Sequence, residues 1–223
     1  MSKENNFRKD NLSNTNFERL ANNLVATKNW GEKIDSQLYL TGIPEGANQL
    51  TDKESMNLVF GQANKAVAQV YFDGFALGKD KRQIIKENSK EAINLAGVKL
   101  TVVAYSSGFL NLMDYSEEEV DKIDRLILVN PMLGRGSLNN KYAIFGYMFP
   151  SKEEVLKKTA LIFEMLARKD AIFAVLSEKD SFMNNKVIES VLKKRINPER
   201  IHSRWGGHEI SQTELLSIVN WWF

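Results

Sequence analysis

An α/β fold built on a mostly parallel sheet of about six strands, with helices on both faces, is what this sequence predicts. Short, near-continuously apolar runs recur along the chain, the pattern of strands buried on both sides. Stretches of helical periodicity separate them, so consecutive strands are joined by crossovers and run parallel. Gly, Pro, Asp or Ser residues follow each run, where a chain leaving a sheet must turn.

Residues 1–35 read as a polar N-terminal extension, within which Phe17, Leu20 and Leu24 are spaced for a short helix over 16–27. The first strand is placed at 37–41 and is broken by Gly42, Pro44 and Gly46. A helix over 51–67, with Met56, Val59, Phe60 and Ala63 on one face, leads to a second strand at 69–72 and the turn Asp73-Gly74. Residues 79–96 return to helical spacing, and the third strand begins at Val98. A fourth strand at 125–130 is stopped by Pro131, and a fifth lies at 171–176. A helix over 186–194 precedes the sixth strand at 200–205, and an amphipathic helix over 212–223 closes the domain of residues 36–223. The final Trp221-Trp222-Phe223 reads as a helix end packed on the sheet, because no basic face accompanies it.

Composition narrows the functional classes. At 223 residues and 43% hydrophobic content the chain can bury a sizeable core. A formal charge of +2, with no basic block or zinc spacing, argues against nucleic acid as a partner. The absence of cysteine removes thiol nucleophiles, disulfides and thiolate-bound metal. No segment has the length and apolarity of a membrane span and the N-terminus lacks a signal-peptide core, so a cytoplasmic protein is expected. The oligomeric state is not legible.

The third strand ends in Ala104-Tyr105-Ser106-Ser107-Gly108. A serine on a sharp strand-to-helix turn needs small residues two positions to either side, and only Ser106 has them, in Ala104 and Gly108. In a parallel sheet, reactive groups belong at the carboxyl ends of strands, near the point where strand order reverses. That edge would collect Ser106, the turn Ser177-Glu178-Lys179-Asp180 and the turn Gly206-Gly207-His208: a hydroxyl, a carboxylate and an imidazole, in the chain order Ser, Asp, His. His202, inside a strand, reads as structural or solvent-facing, and Glu178 is the substitute acid if Asp180 points away.

In combination these residues resemble the α/β-hydrolase family from about Gln37 onward. Thr41-Gly42-Ile43-Pro44 is similar to the family's oxyanion turn, Tyr71-Phe72-Asp73-Gly74 to the next turn, and Leu128-Val129-Asn130-Pro131 to the strand after the elbow. Ala104 stands where the first glycine of the elbow is usual, and Thr41 where a histidine is usual. The resemblance implies a serine hydrolase acting on a small-molecule or acyl substrate, a carboxylic ester or thioester, through an acyl-enzyme, without cofactor or metal. Ser106 would be the nucleophile, His208 the general base and Asp180 its orienting acid, because a serine hydroxyl at neutral pH needs an imidazole to take its proton. Backbone N–H groups of Ile43 and Ser107 would bind the oxyanion, and Asp73 would be structural. The resemblance also implies that residues 132–169, longer than a crossover needs, form a small helical lid. There Phe145 and Phe149, among Tyr142, Ile144, Tyr147 and Met148, would line an acyl pocket, and a helix from Ser151 would carry Val155, Leu156, Leu161, Ile162 and Leu166. Two alternatives share the scaffold: a binding or regulatory protein that has lost the chemistry, and an acyltransferase using the same site.

Overall fold

The computed structural model describes the backbone of four strands before residue 73, the continuous segment 100–210, and residues 214, 217 and 218. Among the described residues, eight strands form one sheet: β1 (Thr15–Leu20), β2 (Asn23–Lys28), β3 (Ser36–Leu40), β4 (Ala66–Phe72), β5 (Leu100–Tyr105), β6 (Ile123–Val129), β7 (Ile172–Ser177) and β8 (Ile201–Arg204). Their spatial order is β1-β2-β4-β3-β5-β6-β7-β8. β1 pairs antiparallel with β2, and β2 with β4; every other ladder is parallel. From β3 the chain passes to β4 on one side and then to β5 on the other, so strand order reverses between β3 and β5. A crevice at the carboxyl ends of those strands is the expected ligand position, and β5 delivers Ser106 to it.

β1 and β2 correct the helix expected over 16–27. Asn16, Asn22 and Asn23 are weak helix formers, Thr15, Val25 and Thr27 are β-branched, and β2 finds an antiparallel partner in β4, a tertiary contact that outweighs the helical spacing of three apolar residues. β4 likewise starts at Ala66, inside the helix expected to reach Val67. The rest of that helix, the helix over 79–96, the turns at Gly42 and Asp73, and nearly all of the closing helix with Trp221 to Phe223 lie outside the described residues.

The core lies on β5, β6 and β7. Val102, Ala104, Leu126, Leu128 and Ala174 are fully buried, and every residue of β7 is buried, as a central parallel strand requires. Helix α1 (Glu117–Asp121) starts on a capping box in which the Ser116 hydroxyl accepts from Glu119 N–H and the Glu119 carboxylate accepts from Ser116 N–H. The single helix expected from Ser151 is two, α2 (Lys152–Lys158) and α3 (Ala160–Arg168). They break at Thr159, whose hydroxyl donates to Val155 O at 2.8 Å and whose backbone leaves helical values (φ −107°, ψ 6°). The break lets α3 bury Ile162, Phe163 and Leu166 against the core, with Phe109 5.9 Å from Phe163 between ring centroids. α4 (Asn185–Leu192), capped by the Asn184 side chain, buries Ile188 and Leu192.

The turn after β6 rests on Gly134, at φ 93°. A Cβ there would lie 2.7–2.8 Å from the backbone of Ser151 and Lys152, and neither side of that contact is a flexible chain end. Gly134→Ala is therefore expected to cost about 2–5 kcal/mol, combining left-handed strain with overpacking, read from urea unfolding; a loss below about 0.5 kcal/mol would contradict this close approach.

Asp170 begins the approach to β7, and the hydrogen bond from Arg200 holds its carboxyl below the usual carboxylate range against the opposing effect of burial. A depressed folded-state value means stabilisation that is complete above the unfolded value of about 4 and is lost as pH falls through the folded one. Asp170→Asn keeps a residue suited to φ 51° and removes the charge. The variant should be less stable than the parent at pH 7, and the gap in melting temperature should close below about pH 4; a gap independent of pH would refute the ion pair's role.

Candidate active site

Ser106 follows the last residue of β5 and has φ 53°, in the left-handed region that costs a non-glycine residue energy. Its carbonyl accepts from Met132 N–H at 2.9 Å, which ties the turn to the segment after β6. Ala104 and Gly108 are both buried, as the small flanking positions predict. Ser107, Gly108 and Phe109 continue in a 3-10 helix, Ser106–Leu112, so the backbone after Ser106 turns back at once and presents the hydroxyl at the strand's end.

The other two groups arrive from the ends of the strands beyond. The turn after β7 carries Asp180, and the turn after β8 carries His208. His208 Nδ1 lies 2.7 Å from Asp180 Oδ2, and His208 Nε2 lies 3.0 Å from Ser106 Oγ. An ionised carboxylate only accepts, so Nδ1 carries the proton it donates, leaving Nε2 as the acceptor of the serine O–H. The structure thus joins Ser106, His208 and Asp180 in one hydrogen-bonded chain. Asp180's side chain is fully buried, and its other oxygen, Oδ1, accepts from Phe182 N–H and Met183 N–H, both at 2.8 Å. Three donors compensate the loss of water around that charge and fix the carboxylate's orientation.

The remaining candidates fall where these contacts leave them. Glu178 is exposed, with its backbone N–H bonded to Arg204 O, and does not substitute for Asp180. His202 sits inside β8 opposite Val175, outside the chain of hydrogen bonds. Ile43 and Asp73 lie outside the described residues, and so does the Phe145 side chain. Phe149 is half-buried against the main core. Among the described residues, no group of three or more His, Asp and Glu is placed to hold a metal ion, and no helix is long and apolar enough to cross a membrane.

Several residues that shape the site carry no local sequence signal. Tyr105 stacks on the His208 ring at 5.4 Å between centroids, and Phe182 lies against the same ring at 5.2 Å. Tyr142 stacks on Phe182 at 4.4 Å, bringing the segment after β6 to the site. Asn139 reinforces that junction: its amide donates to Ser181 O and Met183 O at 2.9 and 3.0 Å, its N–H donates to Phe182 O, and Leu138 forms an isolated bridge to Met183. Only the period-2 placement of Tyr105, facing the same way as Val103, separated it from the buried small residue Ala104; the other contacts depend on loops folding together.

Solved structures share this architecture at low sequence identity. No family model matches the sequence, and no curated protein is significantly similar to it. A carboxylesterase structure from the thaumarchaeon Nitrososphaera gargenis is 14% identical, with 93% of this chain covering 97% of that one at a TM-score of 0.55. The thioesterase domain from the curacin biosynthetic pathway is 11% identical, covering 92% and 98% at 0.55. Mouse alpha/beta hydrolase domain-containing protein 10 is 12% identical, covering 92% and 96% at 0.56. With strand order, the turn at Ser106 and the breadth of these matches in agreement, the chain has the α/β-hydrolase fold.

Proposed function

We propose that the protein is a serine hydrolase that cleaves a carboxylic ester or thioester through an acyl-enzyme. The observation that carries this reading is the unbroken chain Ser106 Oγ to His208 Nε2 to Asp180, with the serine held at φ 53° on the turn after β5. A serine hydroxyl is weakly nucleophilic until a base takes its proton, and His208 Nε2 is at the distance to do so. As the Ser106 oxygen bonds to the carbonyl carbon, its proton passes to His208. Asp180 stabilises the resulting imidazolium and stays ionised. Collapse of the tetrahedral intermediate expels the alcohol or thiol, which takes the proton from His208. Water, activated by the same imidazole, then attacks the acyl-serine and releases the acid. The backbone N–H groups of Ser107 and Ile43 are assigned to the developing oxyanion, where removing one donor costs roughly 3–4 kcal/mol in comparable sites. Esterase and thioesterase chemistry among the neighbouring folds agrees with this choice of substrate class.

The segment 132–169 is assigned to substrate selection, with Phe145 and Phe149 lining the acyl pocket and Tyr142, through its stack on Phe182, joining that pocket to His208. Buried methylenes are worth about 0.8 kcal/mol each, so preference among acyl chains should be graded.

A fluorophosphonate probe tests the nucleophile directly. The protein should be labelled at Ser106, and Ser106→Ala should abolish labelling while folding normally. His208→Ala should lower kcat by about three orders of magnitude or more, Asp180→Asn by about 10³–10⁴ through the wrong imidazole tautomer, and His202→Ala hardly at all. Labelling retained in Ser106→Ala would refute the assignment, and a wild-type protein inert to the probe would mean a scaffold without this chemistry. On p-nitrophenyl esters of increasing chain length, Phe149→Ala should penalise long acyl groups more than acetyl; a uniform loss would remove Phe149 from the pocket and leave it a core residue.

A further inference from the structure

Behind the imidazole lies a second polar network whose members come from four different strand ends. Over residues 205–210 the chain carrying His208 has no regular secondary structure, although Glu178 N–H and Lys179 N–H still bond Arg204 O and Gly206 O. Side chains take over from there. The His208 carbonyl accepts from the Tyr105 hydroxyl at 2.8 Å and from Asn130 Nδ2 at 2.9 Å. The carbonyls on either side, Gly207 O and Glu209 O, both accept from Arg204 Nη2, at 2.8 and 2.6 Å. Three consecutive carbonyls around the base are therefore each held by a side-chain donor.

The two halves of this clamp meet at Ser177, whose fully buried hydroxyl oxygen accepts from Asn130 Nδ2 at 2.8 Å and from Arg204 Nε at 2.7 Å. Asn130 closes the loop by accepting Ser177 N–H at 2.8 Å. Ser177 is the last residue of β7, three positions before Asp180, so one buried amide relates the start of the acid turn to the backbone of the base. The residue types suit the work. Asn130 has φ 44°, a conformation asparagine tolerates, and its amide supplies a donor and an acceptor on one rigid plane. Arg204 engages Ser177 through Nε, Glu214 through Nη1 and both Gly207 and Glu209 through Nη2, a forked pattern that a lysine point charge does not reproduce.

We propose that Tyr105, Asn130, Ser177 and Arg204 form the positioning device of His208, setting its distances to Ser106 and Asp180 through the backbone rather than the ring. The proposal rests on the serine hydrolase reading for its kinetic consequence and on the hydrogen bonds for its structural one. Misplacement of a base by about 1 Å costs up to about 100-fold in rate. Rate loss is therefore expected with substrate binding left largely alone.

The test compares Tyr105→Phe, Ser177→Ala, Asn130→Asp and Arg204→Lys. Tyr105→Phe keeps the ring stacked on His208 and removes only the hydroxyl, so it remains informative even where a buried change such as Asn130→Asp fails to fold. The readouts are kcat and KM on a p-nitrophenyl ester, the fluorophosphonate labelling rate of the folded fraction, melting temperature, and the low-field proton resonance of His208 Nδ1–H. Expected are a fall in kcat and labelling rate of about 5- to 100-fold with KM within about twofold, a displaced or broadened His208 resonance, and less than additive losses when Tyr105→Phe and Asn130→Asp are combined, because both act on one carbonyl. Unchanged kcat per folded molecule with an unchanged resonance, even beside a lowered melting temperature, would overturn the proposal. A wild-type protein that neither turns over ester nor reacts with the probe would refute the hydrolase reading alone; the resonance then decides, its displacement supporting the positioning role and its constancy overturning it.

Discussion

A carboxylate removed from water is tolerated only when other groups replace its hydration, and in this protein that requirement organises the site. The Asp180 side chain is fully buried and satisfied by Phe182 N–H, Met183 N–H and His208 Nδ1–H. Two of those donors come from its own turn and fix the carboxylate, leaving the third to select one orientation and one tautomer of His208. The imidazole that results presents an acceptor to Ser106, which the turn after β5 holds in a conformation it would not choose alone.

The sheet makes this arrangement possible without long-range coincidence. β5, β6, β7 and β8 lie side by side and parallel, so the residues that leave their carboxyl ends share one edge. Ser106, Asn130, Asp180 and His208 all come from that edge. Hydrophobic burial along β5 to β7 fixes the strands' register, and the register in turn fixes which residue stands first beyond each end. A one-residue slip of β7 would exchange its two buried faces, misfitting the side chains packed on each, and move Ser177 away from both Asn130 and Arg204.

The part of this that was legible beforehand is the part governed by local pattern. Apolar runs placed β5 to β7 and an alternating run placed β8, and turn residues after them placed Ser106, Asp180 and His208, because such turn residues are consequences of backbone geometry within a few positions. What local pattern could not reveal depends on distant partners. Residues 16–27 carry a helical spacing of apolar groups, yet β2 pairs with β4 across more than 40 residues of chain. The break at Thr159 follows from a hydroxyl bonding back to Val155 O, which the uninterrupted helical periodicity of 151–168 conceals. Asn130 read as the last residue of a strand before a proline, and Arg204 as one position in an alternating strand. Their roles exist only once the ends of β5, β6, β7 and β8 are brought together.

The central claim, that Ser106 is the residue acylated with His208 as its base, is met most directly by trapping the intermediate. A p-nitrophenyl ester of a hindered acid such as pivalate, whose bulk slows attack by water on the acyl-serine, can be mixed with the protein, quenched in acid and mapped by peptide mass. The account predicts one acyl group per molecule, on the peptide bearing Ser106 and on that side chain, forming in step with p-nitrophenol release. An adduct on another residue, or p-nitrophenol released over many turnovers with no adduct at any quench time, would contradict it.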